Sequence, residues 1–285
     1  MSSESVPNIV HQTNDKDKLS ILPVKRSLHW EYLCSILIVL LTAAAAIIGL
    51  LYAEDFYPTE ELRQLSLAND LLTLVLGLPI ILVTMWLTRR GKLVGLLYWP
   101  GAVLYGLYNY FTYLYVMPFT MLLPLYLLIV TLSLYTMIGL LASIDGNVVR
   151  ERLNGRIPEK FGGGVLIFFG ILFVFRTLGE MGSAWAEQAT IPRPELGLLI
   201  TDFIFCFAWV IGGILLWRKR PLGYAVGPAL LFQATMLFVG VIAIVLLQPV
   251  LTDGTFILGD FIALTFMGLL CFIPFVLFVR GILKS

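Results

Sequence analysis

Charged residues are scarce in this chain: they make up 13% of its 285 residues, roughly half the share found in an ordinary soluble domain. Hydrophobic residues make up 59%, and the mean hydropathy is +0.92. A net charge of +1 provides neither a basic surface for nucleic acid nor an acidic tail. We therefore predict an all-α, polytopic membrane protein that contacts the lipid bilayer and has no nucleic-acid partner.

Histidine, cysteine and lysine are too few, or wrongly placed, for several kinds of chemistry. Both histidines, His11 and His29, precede the first apolar run, which excludes a histidine-ligated zinc site or a Ser–His pair within the membrane. The three cysteines lie inside apolar runs, where thiols are typically small buried hydrophobes, so no disulfide framework is expected. No apolar run contains lysine, and no phosphate-binding or dinucleotide motif occurs. The sequence indicates no cofactor.

Eight apolar runs reach the length of about 20 residues that a membrane-spanning helix needs. They predict a helical bundle of eight transmembrane helices over 30–285, preceded by a polar, disordered cytoplasmic arm over 1–29. The predicted spans are about 31–53, 68–88, 93–115, 119–142, 163–183, 196–217, 222–247 and 257–281.

Basic residues alternate strictly between the connections. The arm, the C-terminus and every second connection carry them, whereas the intervening connections are acidic or nearly uncharged. Positive charge accumulates in cytoplasmic loops, so this alternation predicts cytoplasmic N- and C-termini in a plasma (inner) membrane. The basic connections contain Arg89, Arg90 and Lys92; Arg150, Arg152, Arg156 and Lys160; and Arg218, Lys219 and Arg220.

Two stretches resemble each other and indicate an internal repeat. In both, a glycine follows a basic turn and a proline follows five residues later. The matching residues are Gly95 and Gly223, Pro100 and Pro228, the tryptophans Trp86 and Trp217, and the aspartates Asp70 and Asp202. A four-plus-four duplication would give parallel halves, because each repeat has an even number of spans. Chance similarity between apolar helices is the alternative.

Isolated polar residues inside the apolar runs fall mostly at one predicted depth. Counted at about 1.5 Å per residue, most lie towards the non-cytoplasmic face, whereas the inner half holds almost no charge. Polar side chains are costly against lipid, so we expect them to surround a shared, outward-facing cavity. The predicted ligand-binding residues are Arg176, Glu180, Asp202, Asp70, Asp260, Asn109, Tyr108 and Gln233.

Arg176 and Glu180 are the centre of this predicted layer, one helical turn apart. We interpret Arg176 as an anion contact and Glu180 and Asp202 as carriers of a cation or proton. Asp70, Asp260 and Asn109 are interpreted as supports. The carboxylates would also suit an oxygen-only metal site. The structural alternatives are a simple Arg176–Glu180 ion pair and helix caps at Asp70 and Asp260.

Small-molecule or ion transport, or ligand binding, in the outward-facing cavity is the leading functional hypothesis. The alternative is a non-catalytic partner that assembles with another membrane protein through paired intramembrane charges. A third hypothesis is a membrane-embedded enzyme with its site at the outer face; the lack of histidine there weighs against catalysis. Acid–base groups for it could come from Glu54, Asp55, Glu180, Trp185 and Glu187.

Overall fold

The computed structural model describes residues 22–252 and 255–285, apart from the side chain of Glu61. Within these ranges every regular element is helical. The helices are α1 His29–Leu51, α2 Ala53–Phe56, α3 Glu60–Leu72, α4 Leu78–Arg89, α5 Leu93–Val116, α6 Leu123–Ser143, α7 Gly146–Leu153, α8 Glu159–Ala186, α9 Arg193–Trp217, α10 Pro221–Leu251 and α11 Leu258–Leu283. A π-helical turn, Thr73–Gly77, joins α3 to α4 in one continuous rod.

Seven helices in the described part of the chain are long and apolar enough to cross a membrane: α1, the α3–α4 rod from Leu62, α6, α8, α9, α10 and α11. The prediction of an all-α membrane protein is confirmed, and the exposed apolar side chains of these helices form its lipid-facing surface. The α3–α4 rod begins earlier than the predicted span 68–88. Thr59 caps the start of α3, because its side chain accepts a hydrogen bond from the Leu62 N–H at 3.3 Å.

α5 is long enough to cross, at 24 residues, but its tyrosines and Asn109 make it less apolar than the seven. It is also the most enclosed helix, since α4, α6, α9 and α10 pack around it. A helix with so little lipid contact can keep polar groups that neighbouring helices satisfy. At its centre, a Cβ on Gly101 would overlap the backbone of Ala229, so α5 and α10 cross in direct backbone contact.

The turns before α5 and α10 have the same backbone geometry. In the first, Lys92 N–H donates to Leu87 at 3.0 Å and Gly91 has φ 72°. In the second, Arg220 N–H donates to Leu215 at 2.9 Å and Lys219 has φ 54°. Each residue of the second turn lies 128 positions after its counterpart in the first. The two turns therefore share one backbone conformation.

The predicted disordered arm lies outside the described residues as far as residue 21. Its last part, 22–28, lies against the segment that follows α6. Lys25 N–H donates to the Ser143 carbonyl, and Asp145 N–H donates to the Pro23 carbonyl, both at 2.8 Å. These bonds hold the chain in place before α1 begins.

The outer half of the bundle, meaning the half away from the basic turns, is packed unevenly. Buried residues of α8 end at Thr177, those of α10 end at Gly240, and those of α11 begin only at Gly268. In contrast, α1 is buried along one face as far as Gly49. The partly exposed outer surface that consists of residues 173–180 of α8, Asp202 of α9 and residues 241–251 of α10 is called the outer cleft below.

Candidate functional site

Three helices contribute to one polar group at the outer cleft. Arg176 and Glu180 lie one turn apart on α8, and the Arg176 Nε donates to Glu180 Oε1 at 2.7 Å. Nη1 of the same guanidinium lies 3.9 Å from Oδ2 of Asp202 on α9. Tyr108 of α5 donates its hydroxyl to Asp202 Oδ1 at 2.5 Å. These four residues are called the Arg176 cluster.

The sequence of α8 explains why the cluster faces the cleft. Phe169, Phe173, Arg176 and Glu180 follow one helix face at spacings of three and four. The two phenylalanines contact Phe238 of α10, with ring centroids 5.1 and 6.4 Å apart. Beyond Thr177 no residue of α8 is buried, so the same face presents Arg176 and Glu180 at the surface, with the Arg176 guanidinium 6.0 Å from the Phe173 ring.

One guanidinium and two carboxylates give the cluster a formal charge of −1. Half of the Arg176 side chain is exposed, whereas Asp202 is 14% exposed. The guanidinium is already shared between both carboxylates, so an incoming anion would compete with them. Glu180 Oε2 has no hydrogen-bond partner among the described residues, but this atom is buried and does not face solvent. The net negative charge of the cluster, and not a free oxygen, therefore favours a cation over an anion.

Asp70 lies in a separate, closed centre between α3 and α5. It is 1% exposed and accepts hydrogen bonds from the hydroxyls of Tyr57, at 2.5 Å, and Tyr113, at 3.1 Å. Gly49 of α1 leaves room for this pair, since a Cβ there would overlap both Asp70 and Tyr57. We call these four residues the Asp70 centre. Its carboxylate has no exposed surface to offer a ligand.

The remaining predicted residues do not join either cluster. Asp260 is exposed in the first turn of α11. Gln233 is fully buried and accepts a hydrogen bond from Trp209 Nε1 at 2.6 Å, while its own amide nitrogen is unpartnered. Asn109 donates to the Tyr105 carbonyl at 3.2 Å and lines a cavity of about 10 Å³, room for about one water.

The prediction of one shared polar layer therefore needs correction. The structure brings Arg176, Glu180, Asp202 and Tyr108 together and separates them from Asp70, Asp260 and Gln233. Across the described residues, no three Asp, Glu, His or Cys side chains converge in a way that could hold a metal ion. Depth along a helix follows from residue number, but the direction in which a side chain points around the helix depends on packing.

No protein-family model, curated protein or solved structure matches this chain. The function must therefore be argued from geometry and charge.

Two buried glutamates at the basic end were not among the predicted site residues. Glu31 pairs with Arg26 at 2.6 Å at the start of α1. Glu159, at the start of α8, accepts hydrogen bonds from the Tyr224 hydroxyl at 2.7 Å and the Gly155 N–H at 3.1 Å. The two lie 128 positions apart, and this recurrence was the available sequence signal.

Proposed function

We propose that the chain is an eight-span plasma (inner) membrane protein, with α5 as the eighth span, an arm over 1–29 and cytoplasmic termini. The length of α5 and its tight antiparallel turn after α4 support this count. The helices around it shield its polar groups from lipid, so a lower apolar content is acceptable. The orientation is supported by the basic turns, which lie at one end of the bundle.

A four-plus-four duplication within 30–285 is part of the same proposal. The register of 128 positions is supported by four matched pairs: Glu31 and Glu159, Thr73 and Thr201, Gly95 and Gly223, and Pro100 and Pro228. It also matches Gly101 with Ala229, the two residues at which α5 and α10 cross. Two related helices that meet at matched positions are typical of a twofold axis along the membrane normal. Asp70 and Asp202 do not match in this register.

The outer cleft is proposed to bind a small organic cation. The observation that carries this proposal is the Arg176 cluster, which has a formal charge of −1 and contains partly exposed carboxylates (35% for Glu180 and 14% for Asp202) above an aromatic floor. The facing outer half of α10 is apolar except for Gln248. An apolar wall with a few convergent polar groups is typical of small-molecule sites. Uptake of such a cation, as the first step of transport, would additionally require the floor of Phe173 and Phe238 to move.

Binding can be tested with purified protein in detergent by measuring the shift in melting temperature with single probes. Tetramethylammonium and choline are expected to raise it more than sodium does, whereas acetate as its sodium salt adds nothing beyond sodium. Asp202→Asn and Glu180→Gln are expected to abolish the shift. Asp260→Asn removes an exposed carboxylate at the same end of the bundle and should keep it. Absence of any cation-dependent shift, or equal loss in Asp260→Asn, would refute the proposal.

A second candidate is assembly with another membrane protein through the same cleft. It is favoured by exposed apolar side chains on the outer half of α10, namely Val241, Leu246, Val250 and Leu251. A spanning helix of a partner would bury them. Cysteine at position 250 (Val250→Cys) should then cross-link to a second chain in native membranes, and added cation probes should leave that cross-link unchanged. Loss of the cross-link with the probes would instead assign the cleft to the cation.

A further inference from the structure

A second cleft lies at the opposite, basic end of the bundle, between α8 and α9. It has a volume of about 450 Å³ and is lined by Gly164, Ile167, Phe168, Ile214, Trp217 and Arg218. Gly164 allows the Trp217 ring to lie directly against α8, because a Cβ there would be 2.8 Å from the ring. The cleft therefore has an apolar trough, an indole at its wall and a guanidinium at its edge. We call it the basic cleft.

Arg218 has an uncompensated charge. It is exposed, and it has no hydrogen-bond or ion-pair partner among the residues that the structure describes. The adjacent Lys219 differs, because its Nζ lies 3.6 Å from Glu159 and donates to Asn154. Lys160, also exposed, lies one helical turn before Gly164 on α8 and adds a second positive charge near the cleft. An anion at this edge would neutralise Arg218.

We propose that the basic cleft binds an anionic phospholipid of the cytoplasmic leaflet. This inference rests on the proposed membrane orientation and is independent of the proposed cation site. An acyl chain would lie along Ile167, Phe168 and Ile214, and the phosphate would meet Arg218. Basic pockets between spanning helices on the cytoplasmic side are suited to anionic headgroups, and tryptophan is enriched at that interface.

The matching place in the first half of the chain lacks these features, which makes it a control. In the register of 128 positions, Gly164 matches Ile36 and Arg218 matches Arg90. Ile36 has a branched side chain at the position where Gly164 lets an indole ring approach the helix. The Arg90 guanidinium lies 4.6 Å above the Trp86 ring, so it is already engaged in a cation–π contact. Two arginines in matched turns therefore differ in their availability to a lipid.

The test is native mass spectrometry of delipidated protein titrated with phosphatidylglycerol or phosphatidylcholine. Wild type should retain phosphatidylglycerol more tightly. Arg218→Gln should weaken this binding about fivefold, the factor expected for one basic residue near an anionic surface, whereas Arg90→Gln should leave it unchanged. Glycerol phosphate, which has no acyl chains, should not compete; competition would show a headgroup site without the trough.

Displacing the indole from the wall of the cleft gives an independent check. Gly164→Leu would collide with the Trp217 ring and should remove phospholipid binding, whereas Gly179→Leu on the same helix, where a side chain meets open space, should not. Equal binding of the two lipids, or equal affinities of Arg218→Gln and Arg90→Gln for phosphatidylglycerol, would overturn the proposal. If Gly164→Leu does not fold, the arginine pair decides the question alone.

Discussion

Each half of this protein has an aspartate near its outer end, and the surroundings of the two aspartates differ in burial and in charge. In the first half, Asp70 is 1% exposed and is held by two tyrosine hydroxyls without a positive partner. In the second half, Asp202 lies beside the half-exposed guanidinium of Arg176. A closed carboxylate held by hydroxyl groups stabilises a fold, whereas Asp202 keeps 14% of its side chain exposed beside a half-exposed guanidinium.

The connections between helices account for part of this difference. The segment between α1 and α3 contains Tyr57, whose fully buried side chain reaches Asp70. The corresponding connection between α8 and α9, residues 187–192, is almost entirely exposed. Nothing from it reaches the Arg176 cluster. The inner ends, in contrast, are alike, because Glu31 and Glu159 are both buried and paired there.

The largest difference in the free energy of unfolding is expected between the variants Asp70→Ala and Asp202→Ala. Removing Asp70 leaves the buried Tyr57 hydroxyl without an acceptor and the Tyr113 hydroxyl with only the Ser66 carbonyl at 3.5 Å, which should lower the free energy of unfolding by about 3 kcal/mol. Removing Asp202 affects one donor, Tyr108, near an open cleft, and should cost about 1 kcal/mol. Denaturant titration in detergent micelles measures both. Equal losses would mean that both aspartates are structural.

Two glycines test the same contrast sterically. Gly49→Ala should lower the free energy of unfolding by about 2 kcal/mol, because the new methyl group overlaps Asp70 and Tyr57. Gly179→Ala meets open space and should raise it by up to about 1 kcal/mol, because alanine favours the helix. The midpoints of the same titrations report both changes. A destabilised Gly179→Ala would show that the outer end of α8 is packed after all.

The inner ends of the two halves should lose similar stability when their buried glutamates are substituted. Glu31→Gln and Glu159→Gln each replace a buried, charge-assisted hydrogen-bond acceptor with a neutral one of the same shape. Each should lower the free energy of unfolding by about 1.5 kcal/mol. A difference of several-fold between them would weaken the proposed duplication, since the matched positions would then have different roles.

The smallest stability effect is expected for Arg176→Gln. The pair with Glu180 is half exposed, and such pairs contribute about 0.5 kcal/mol. Folding yield should therefore stay close to wild type, while the selectivity of the outer cleft for cations over anions should increase, because the only positive group of the cluster is gone. Equilibrium dialysis with labelled choline and acetate measures this. Loss of folded protein would instead identify Arg176 as a structural residue.

The sequence predicted the positions of the helices well, and packing explains what it missed. The basic turns at 89–92 and 218–220 bound α4, α5, α9 and α10 within a few residues of the predicted ends. The side of each helix that faces inward was not predictable, since core and lipid are both apolar and periodicity does not separate them. The sequence therefore did not distinguish the surroundings of Asp70 from those of Asp202. Nothing in the hydropathy pattern indicated that Tyr57 would cover Asp70.

The backbone contact between Gly101 and Ala229 also bears on the ancestry of the chain. Under the proposed duplication, a contact between matched positions is what a dimer of two identical four-helix chains has at its symmetry axis. In such a dimer every substitution occurs twice, so a closed end and an open end cannot coexist. Fusion into one chain, through the segment that contains α7, removes that constraint. The contact at the axis would then be an inherited subunit interface, and the outer cleft a specialisation that only the fused chain could acquire.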